Sequence, residues 1–139
     1  MNILITGGSG LVGKSIKDIL KEDDKNNYIF LSSKDYDLTK FDSTKHCFEK
    51  YKPDMVIHLA SVVYGATSGL DAQYKSLLDN CRINLNVFEN CSTYNVKKII
   101  TCLSVVLSKK DINVDTSSII EGPELDLQYH QGYSHSKRL

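Results

Sequence analysis

The 139-residue chain has no net charge, no long apolar run and no paired cysteine motif. Lysine and arginine together number 17, as do aspartate and glutamate, so no long-range field attracts nucleic acid or an anionic membrane. The longest apolar runs are far shorter than the ~20 residues that a membrane span needs. We therefore expect no nucleic-acid or membrane partner, and a ligand that is held by local contacts.

The cysteines also lack the spacing of a metal or redox site. Cys47, Cys81, Cys91 and Cys102 include no Cys-x-x-Cys pair and no histidine at zinc spacing. The first apolar segment begins almost at the first residue, which leaves no room for a signal peptide. The sequence predicts a reduced, cytoplasmic protein with buried thiols and no metal. A structural zinc or a disulfide is the less favoured alternative.

The most informative feature that is present is a set of three glycines directly after an apolar segment. Residues 3–5 predict a strand, Gly7, Gly10 and Gly13 follow at intervals of three, and apolar residues then recur at helical spacing from Leu11. A helix N-terminus behind such a turn binds phosphate through its unpaired N–H groups. A glycine turn without a ligand is the alternative. The predicted contacts with a dinucleotide diphosphate are Gly7, Gly10, Leu11, Val12 and Gly13.

Strands and helices alternate along the rest of the chain. Further strands are predicted at residues 28–31, 55–60 and 98–103, and helices at residues 43–51 and about 71–94. This alternation predicts an α/β fold, a Rossmann-like doubly wound parallel sheet of about four strands in the order 3-2-1-4. We expect the whole chain to form one incomplete NAD(P)-binding domain. The long helix carries apolar residues at helical spacing, namely Leu77, Leu78, Cys81, Leu85, Phe88 and Cys91.

A second group of residues predicts carbonyl chemistry. Tyr133 and Lys137 are four apart, which places them on one face of a helix, and Ser104 follows the predicted fourth strand. A neighbouring ammonium favours the phenolate and makes the tyrosine a better acid–base group, while the serine can donate a hydrogen bond to a carbonyl oxygen. Tyr-x-x-x-Lys alone is usually an exposed helix turn. Following the glycine turn and Ser104, it predicts a catalytic set in which Tyr133 and Lys137 also contact the cofactor, Lys137 at the nicotinamide ribose.

The residues after the second predicted strand indicate which dinucleotide binds. An acidic residue there would bind the ribose 2′-hydroxyl and repel a 2′-phosphate, but the chain has Ser32, Ser33 and Lys34. Two hydroxyl donors and a cation favour NADP over NAD. His58 stands at a strand end, where packing and a cofactor contact are equally open interpretations.

The Gly-x-x-Gly-x-x-Gly spacing resembles that of the extended short-chain dehydrogenases/reductases, and longer segments resemble the GDP-L-fucose synthase family within them. These segments are residues 2–14 (NILITGGSGLVGK), 31–38 (LSSKDYDL), 56–60 (VIHLA), Asn84 with Asn86, 102–104 (CLS) and 132–138 (GYSHSKR). The resemblance implies an NADP-dependent epimerase/reductase of homodimeric form that acts on a nucleotide sugar, GDP-4-keto-6-deoxymannose. The further cofactor contacts implied are Ser33, Lys34, Asp37, Leu38, Leu59 and Ala60, with Asp37 and Leu38 beside the adenine.

The resemblance also implies a role for each catalytic residue. Ser104 would donate a hydrogen bond to the sugar carbonyl, Tyr133 would donate a proton to the C4 oxygen, and Lys137 would support Tyr133 while NADPH supplies hydride to C4. Val106, however, stands where the family has its epimerase cysteine. We also expect the family's partner histidine and its C-terminal substrate domain to be absent, and therefore little or no activity. The alternatives are a catalytically inactive cofactor-binding remnant or interaction module, and a relative of nucleotide-sugar 4-epimerases or dehydratases.

Overall fold

The computed structural model describes residues 1–63, 70–103 and 135–137. A short 3-10 turn follows the first helix, and each strand and helix predicted within residues 2–103 is present, with ends shifted by one or two residues. The predicted helix with Tyr133 and Lys137 begins outside the described residues. The elements in chain order are β1 (Asn2–Thr6), α1 (Leu11–Ile19), β2 (Asn27–Phe30), α2 (Phe41–Tyr51), β3 (Met55–His58), α3 (Leu70–Thr93) and β4 (Lys98–Thr101).

The four strands form one parallel sheet in the order β2-β1-β3-β4. The predicted α/β fold is confirmed, but the predicted strand order 3-2-1-4 is wrong. After β2 the chain passes through turns at residues 31–40 into α2, and no other described strand pairs with the outer edge of β2. α2 then leads to β3 on the other side of β1, where Ile3 pairs with Met55. The order thus reverses at β1 and β3, and in open α/β sheets such a reversal marks the ligand crevice at the carboxyl ends of the strands.

Two compact units divide the chain. The first consists of Met1–Ser61 with Arg82–Cys102 and contains all four described strands. The second consists of Val62–Cys81 with Leu103–Leu139. Within the second unit, the amide of Asn80 accepts the Val62 N–H at 2.7 Å and donates to the Val62 carbonyl at 2.8 Å, as a neighbouring strand would.

The core of the first unit lies around β1. Leu4 and Ile5 are fully buried, as are Phe48 of α2, Val56 of β3 and Val87 of α3. A continuous apolar run in β1 suits a central parallel strand that is covered on both faces. β4 forms an edge of the described sheet, and all four of its residues are exposed.

The buried side of α3 is more polar than its apolar pattern predicts. Leu85 is 64% exposed. The buried polar residues of this helix are Ser76, Asn80, Asn84 and Asn90. Buried amides are tolerated when they are hydrogen-bonded, and Asn90 accordingly donates to the Asn86 carbonyl at 2.8 Å. The helix is predicted correctly, but of the six apolar residues in its predicted pattern Cys91 is buried, Leu85 is exposed and the others are half-buried. The buried polar side chains share the helix with buried Ile83 and Val87.

The cysteines differ in their exposure. Cys47 and Cys91 are buried, and burial raises the pKa of their thiols to about 12 and about 11. Cys81 is half-buried and Cys102 is exposed, so the prediction of buried thiols is wrong for Cys102.

None of the helices within the described ranges is long and apolar enough to cross a bilayer.

Candidate functional site

The glycine turn after β1 is seated directly on the chain that leaves β3. Gly7 has a φ of +69°, and a Cβ at this position would lie 2.8 Å from the Ala60 nitrogen. A Cβ on Gly13 would lie 2.6 Å from the Gly7 carbonyl oxygen, so α1 can approach the turn this closely only through glycine. The turn is closed by a hydrogen bond from Gly10 N to Gly7 O at 2.9 Å. The predicted strand–turn–helix therefore forms at the switch point between β1 and β3.

The N-terminus of α1 has no cap from a described side chain. Gly10 is the N-cap, the first turn holds no acidic residue, and the bond from Lys14 N to Gly10 O at 2.9 Å is the first of the helical type. The backbone N–H groups of the three residues before Lys14 thus fall in the part of a helix that lacks intrahelical partners. Leu11 and Val12 in this turn are 86% and 52% exposed. Converging amides and the positive end of a helix dipole suit a diphosphate.

A buried hydrogen-bond network holds β3 against this turn. Thr6 Oγ1 accepts the N–H groups of Leu59 and Ala60 at 3.2 and 3.1 Å, and it lies 2.7 Å from His58 Nδ1. The other ring nitrogen of His58, Nε2, lies 3.1 Å from Asn84 Oδ1, so both nitrogens of the imidazole have a polar neighbour. His58 is 2% exposed, so of the two interpretations left open by the sequence the structure favours packing.

The turn after β2 is closed by a carboxylate. Asp35 Oδ2 accepts the Ser32 N–H at 2.8 Å and the Ser32 hydroxyl at 2.7 Å, and these bonds lower the pKa of Asp35. Ser33 and Lys34 are exposed at the tip of this turn. Of the two serine hydroxyls predicted to serve a 2′-phosphate, that of Ser32 is engaged by Asp35. The prediction is corrected in that respect, and Ser33 with Lys34 stay available.

The next predicted pair differs in its contacts: Asp37 is held within its own turn, and Leu38 is held by α3. The Asp37 carboxylate accepts the hydroxyl and N–H of Thr39 at 2.6 and 3.1 Å, and the hydroxyl bond is the main reason that the pKa of Asp37 is lowered. The Leu38 carbonyl accepts Asn86 Nδ2 at 2.9 Å, while the Leu38 side chain is 8% exposed. Only a small part of that side chain can contact an adenine.

The predicted catalytic residues are less fully described. Ser104, Val106 and Tyr133 lie outside the described residues. Lys137 is half-buried in the short described stretch 135–137 of the second unit. The arrangement of Ser104, Tyr133 and Lys137 therefore stays a prediction. The described part of the chain contains no cluster of three histidine, cysteine or acidic side chains that could hold a metal.

The sequence alone did not identify the residues that support this site through hydrogen bonds. Thr6 and Asp35 were not singled out, and Asn84 and Asn86 entered only through the family resemblance. One signal was available for Thr6, which is a hydroxyl residue at the end of a buried strand, directly before the first glycine of the turn. Backbone N–H groups at the end of a neighbouring strand need an acceptor at such a position.

A model of the NAD dependent epimerase/dehydratase family matches residues 3–139. The chain belongs to this family. It is 40% identical to the GDP-L-fucose synthase of Dictyostelium discoideum and 36% identical to a probable GDP-L-fucose synthase of Drosophila melanogaster, each over 99% of its own length. It spans 43% of the length of these two relatives. The resemblance to the GDP-L-fucose synthase family is thereby confirmed.

The fold agrees with a solved relative. A GDP-L-fucose synthetase from Naegleria fowleri bound to NADP matches with a TM-score of 0.83 and 38% identity, over 98% of this chain and 40% of that one. Together with the family assignment, this neighbour supports a nicotinamide dinucleotide as the class of cofactor.

Proposed function

We propose that this chain binds NADP(H) and forms the cofactor-binding part of an epimerase/reductase of nucleotide-sugar metabolism that resembles GDP-L-fucose synthase. One observation carries the proposal: the uncapped N-terminus of α1 lies behind a glycine turn that is seated on β3 at the switch point of the sheet. The relatives named GDP-L-fucose synthase support the substrate class. The family resemblance implies GDP-4-keto-6-deoxymannose as the substrate, and we include it in the proposal.

Several of the predicted cofactor residues have a proposed part in binding. The first-turn amides of α1 hold the diphosphate, and Ser33 with Lys34 bind the 2′-phosphate of the adenosine ribose. The exposed positions of Ser33 and Lys34 support this assignment. Asp37 accepts a hydrogen bond from the adenine, and the backbone of Leu59 and Ala60 borders the bound molecule beside Gly7.

In the proposed reaction the chain's own residues activate the sugar carbonyl. Ser104 donates a hydrogen bond to the C4 oxygen, Tyr133 transfers its phenolic proton to that oxygen, and the Lys137 ammonium favours the phenolate that is left. The bound dinucleotide supplies the hydride for C4. Val106 has no proton to transfer, so this position cannot perform epimerisation.

A second candidate is a binding module that holds the cofactor without turnover. Valine in place of the family's epimerase cysteine favours it. By the family resemblance, we also propose a cytoplasmic homodimer. Light scattering on the purified protein gives the mass in solution, and a monomer at all concentrations would contradict the dimer.

Titration calorimetry of the full chain with NADPH and with NADH tests cofactor binding. We expect NADPH to bind more tightly. Gly10→Ser supplies a matched variant: a serine N-cap supports α1 but engages the amides that a diphosphate needs, so the variant should fold and bind NADPH more weakly. If neither NADPH nor NADH produced a heat of binding, the proposal would be refuted.

Turnover is tested separately with NADPH and GDP-4-keto-6-deoxymannose. Consumption of NADPH that disappears in Tyr133→Phe would support the reductase assignment. Binding of NADPH without any consumption would favour the binding module. We expect no exchange of deuterium into C3 or C5 of the sugar, and exchange there would contradict the role given to Val106.

A further inference from the structure

We propose that Asp35 is a positioning residue that sets the preference for NADP over NAD, by closing the turn that presents Ser33 and Lys34 at the end of β2. This inference rests on the proposed function, because it assigns a role within the proposed cofactor site.

The turn is closed by several bonds that converge on Ser32. The Asp35 carboxylate accepts the N–H and the hydroxyl of Ser32, and the Asp35 N–H donates back to the Ser32 carbonyl at 3.1 Å. The Lys34 N–H donates to the Ser32 hydroxyl oxygen at 3.3 Å. Two of these bonds end on the Asp35 carboxylate, which orients the Ser32 hydroxyl that in turn accepts the Lys34 N–H. The carboxylate therefore contributes to the path of the backbone through Ser33.

This turn is joined to the glycine turn through one residue. Leu31 is buried, its N–H donates to the Ile5 carbonyl at 2.9 Å, and its carbonyl accepts the Gly8 N–H at 2.7 Å. Ser32 follows Leu31 directly. The closed turn thus has a defined position relative to the proposed diphosphate site, so ordering it can affect how a ribose phosphate is received.

The charge of Asp35 makes the assignment testable, because repulsion and positioning predict opposite results. A carboxylate at the end of the second strand that faced the ribose would bind its hydroxyls and disfavour a 2′-phosphate. Here a single oxygen, Oδ2, accepts both bonds from Ser32. The geometry points to positioning, since one oxygen of the carboxylate is engaged by its own turn while Lys34 is exposed beside it.

Two substitutions at Asp35 separate these effects. Asp35→Asn removes the charge and keeps an acceptor oxygen, whereas Asp35→Ala removes both. We expect Asp35→Ala to weaken NADPH binding about tenfold, the equivalent of about 1.4 kcal/mol, and to leave NADH binding within about twofold. Asp35→Asn should retain most of the affinity for NADPH. Asp18→Ala, at an exposed aspartate near the end of α1, is the matched control and should bind both dinucleotides like the unsubstituted chain.

The outcomes are distinct. Loss of NADPH affinity in Asp35→Ala that Asp35→Asn restores supports the inference, and unchanged NADH binding shows that the site is still folded. Equal or tighter NADPH binding by Asp35→Ala, with normal binding by the unsubstituted chain, overturns the inference alone. If the unsubstituted chain binds neither dinucleotide, the proposed function fails and the inference fails with it.

Discussion

The hydroxyl of Thr6 and the ring of His58 join the carboxyl ends of β1 and β3, with 2.7 Å between Oγ1 and Nδ1. The same hydroxyl accepts the N–H groups of Leu59 and Ala60, which border Gly7. One side-chain oxygen therefore satisfies three polar groups at the point where the glycine turn meets its neighbouring strand.

We expect Thr6→Val to lower the free energy of unfolding by about 1–3 kcal/mol, because valine has a similar shape but no oxygen. The Ala60 N–H and His58 Nδ1 lose this contact, and the Leu59 N–H keeps the Thr6 carbonyl at 3.2 Å. Thr6→Ser, which keeps the hydroxyl, should lose much less. Urea unfolding at neutral pH measures both variants. A Thr6→Val protein as stable as the unsubstituted chain would show that the network contributes nothing to stability.

Gly13→Ala should destabilise the chain by about 1–3 kcal/mol, the usual effect of forcing extra atoms into a packed site. The added Cβ would lie 2.6 Å from both the Gly7 carbonyl oxygen and the Gly8 Cα, which are backbone atoms of a closed turn. A Cβ on Gly10 would lie 3.2 Å from the same oxygen, so Gly10→Ser is the control and should unfold close to the unsubstituted midpoint. Equal midpoints for Gly13→Ala and Gly10→Ser would contradict the close packing of α1 on the turn.

Asp54 should make stability sensitive to acid. Its carboxylate accepts the Asn2 N–H at 2.9 Å and lies 3.2 Å from Lys97 Nζ, and the bond from Asn2 is the main reason that its pKa falls below the ordinary 3.8. A lowered pKa contributes stability that is present above 3.8 and is lost as the pH falls through that value towards the pKa of the folded state.

Asp54→Asn should therefore lose stability at neutral pH and show a shallower decline of unfolding free energy below about pH 4. Asp24→Asn, at an exposed aspartate in the turn before β2, should keep the original slope. Thermal unfolding across a series of pH values gives both slopes. An unchanged acid slope in Asp54→Asn would mean that the carboxylate is equally accommodated in the unfolded chain.

The four thiols should react at different rates with iodoacetamide. Cys102 is exposed and should be alkylated first, whereas Cys47 and Cys91 are buried with pKa values raised to about 12 and about 11. The thiolate is the reacting form, so these two should react only when the chain opens. Mass spectrometry of peptides over a time course, with a sample in denaturant as the control, identifies the order. Early modification of Cys47 would contradict its packing.

The local parts of the fold were predictable and the long-range parts were not. The strand, the glycine turn and the start of α1 occupy consecutive residues, and their spacing and apolar pattern suffice to predict them. The strand order depends on whether β3 pairs with the open edge of β2 or with the open edge of β1. No local sequence pattern distinguishes these two edges. The order was predicted incorrectly for that reason.

The same distinction applies to the site. Gly7, Gly10 and Gly13 were found by spacing alone. The contacts that support them join residues 52 and 26 positions apart, from Thr6 to His58 and from His58 to Asn84. Asn84 is buried, although asparagine is usually a surface residue. The residue type alone therefore predicts the wrong location for Asn84.

The central place of β1 has a consequence for biosynthesis. Of the described strands β1 leaves the ribosome before the others, yet one of its two neighbours, β3, ends at His58. The nascent chain can pair β1 with β2 early, but the backbone of Leu59 and Ala60 that packs against Gly7 is present only once Ala60 has emerged. Until then the strand at the centre of the core has one uncovered edge, and a translational pause within this interval would prolong its exposure to other nascent chains and to chaperones.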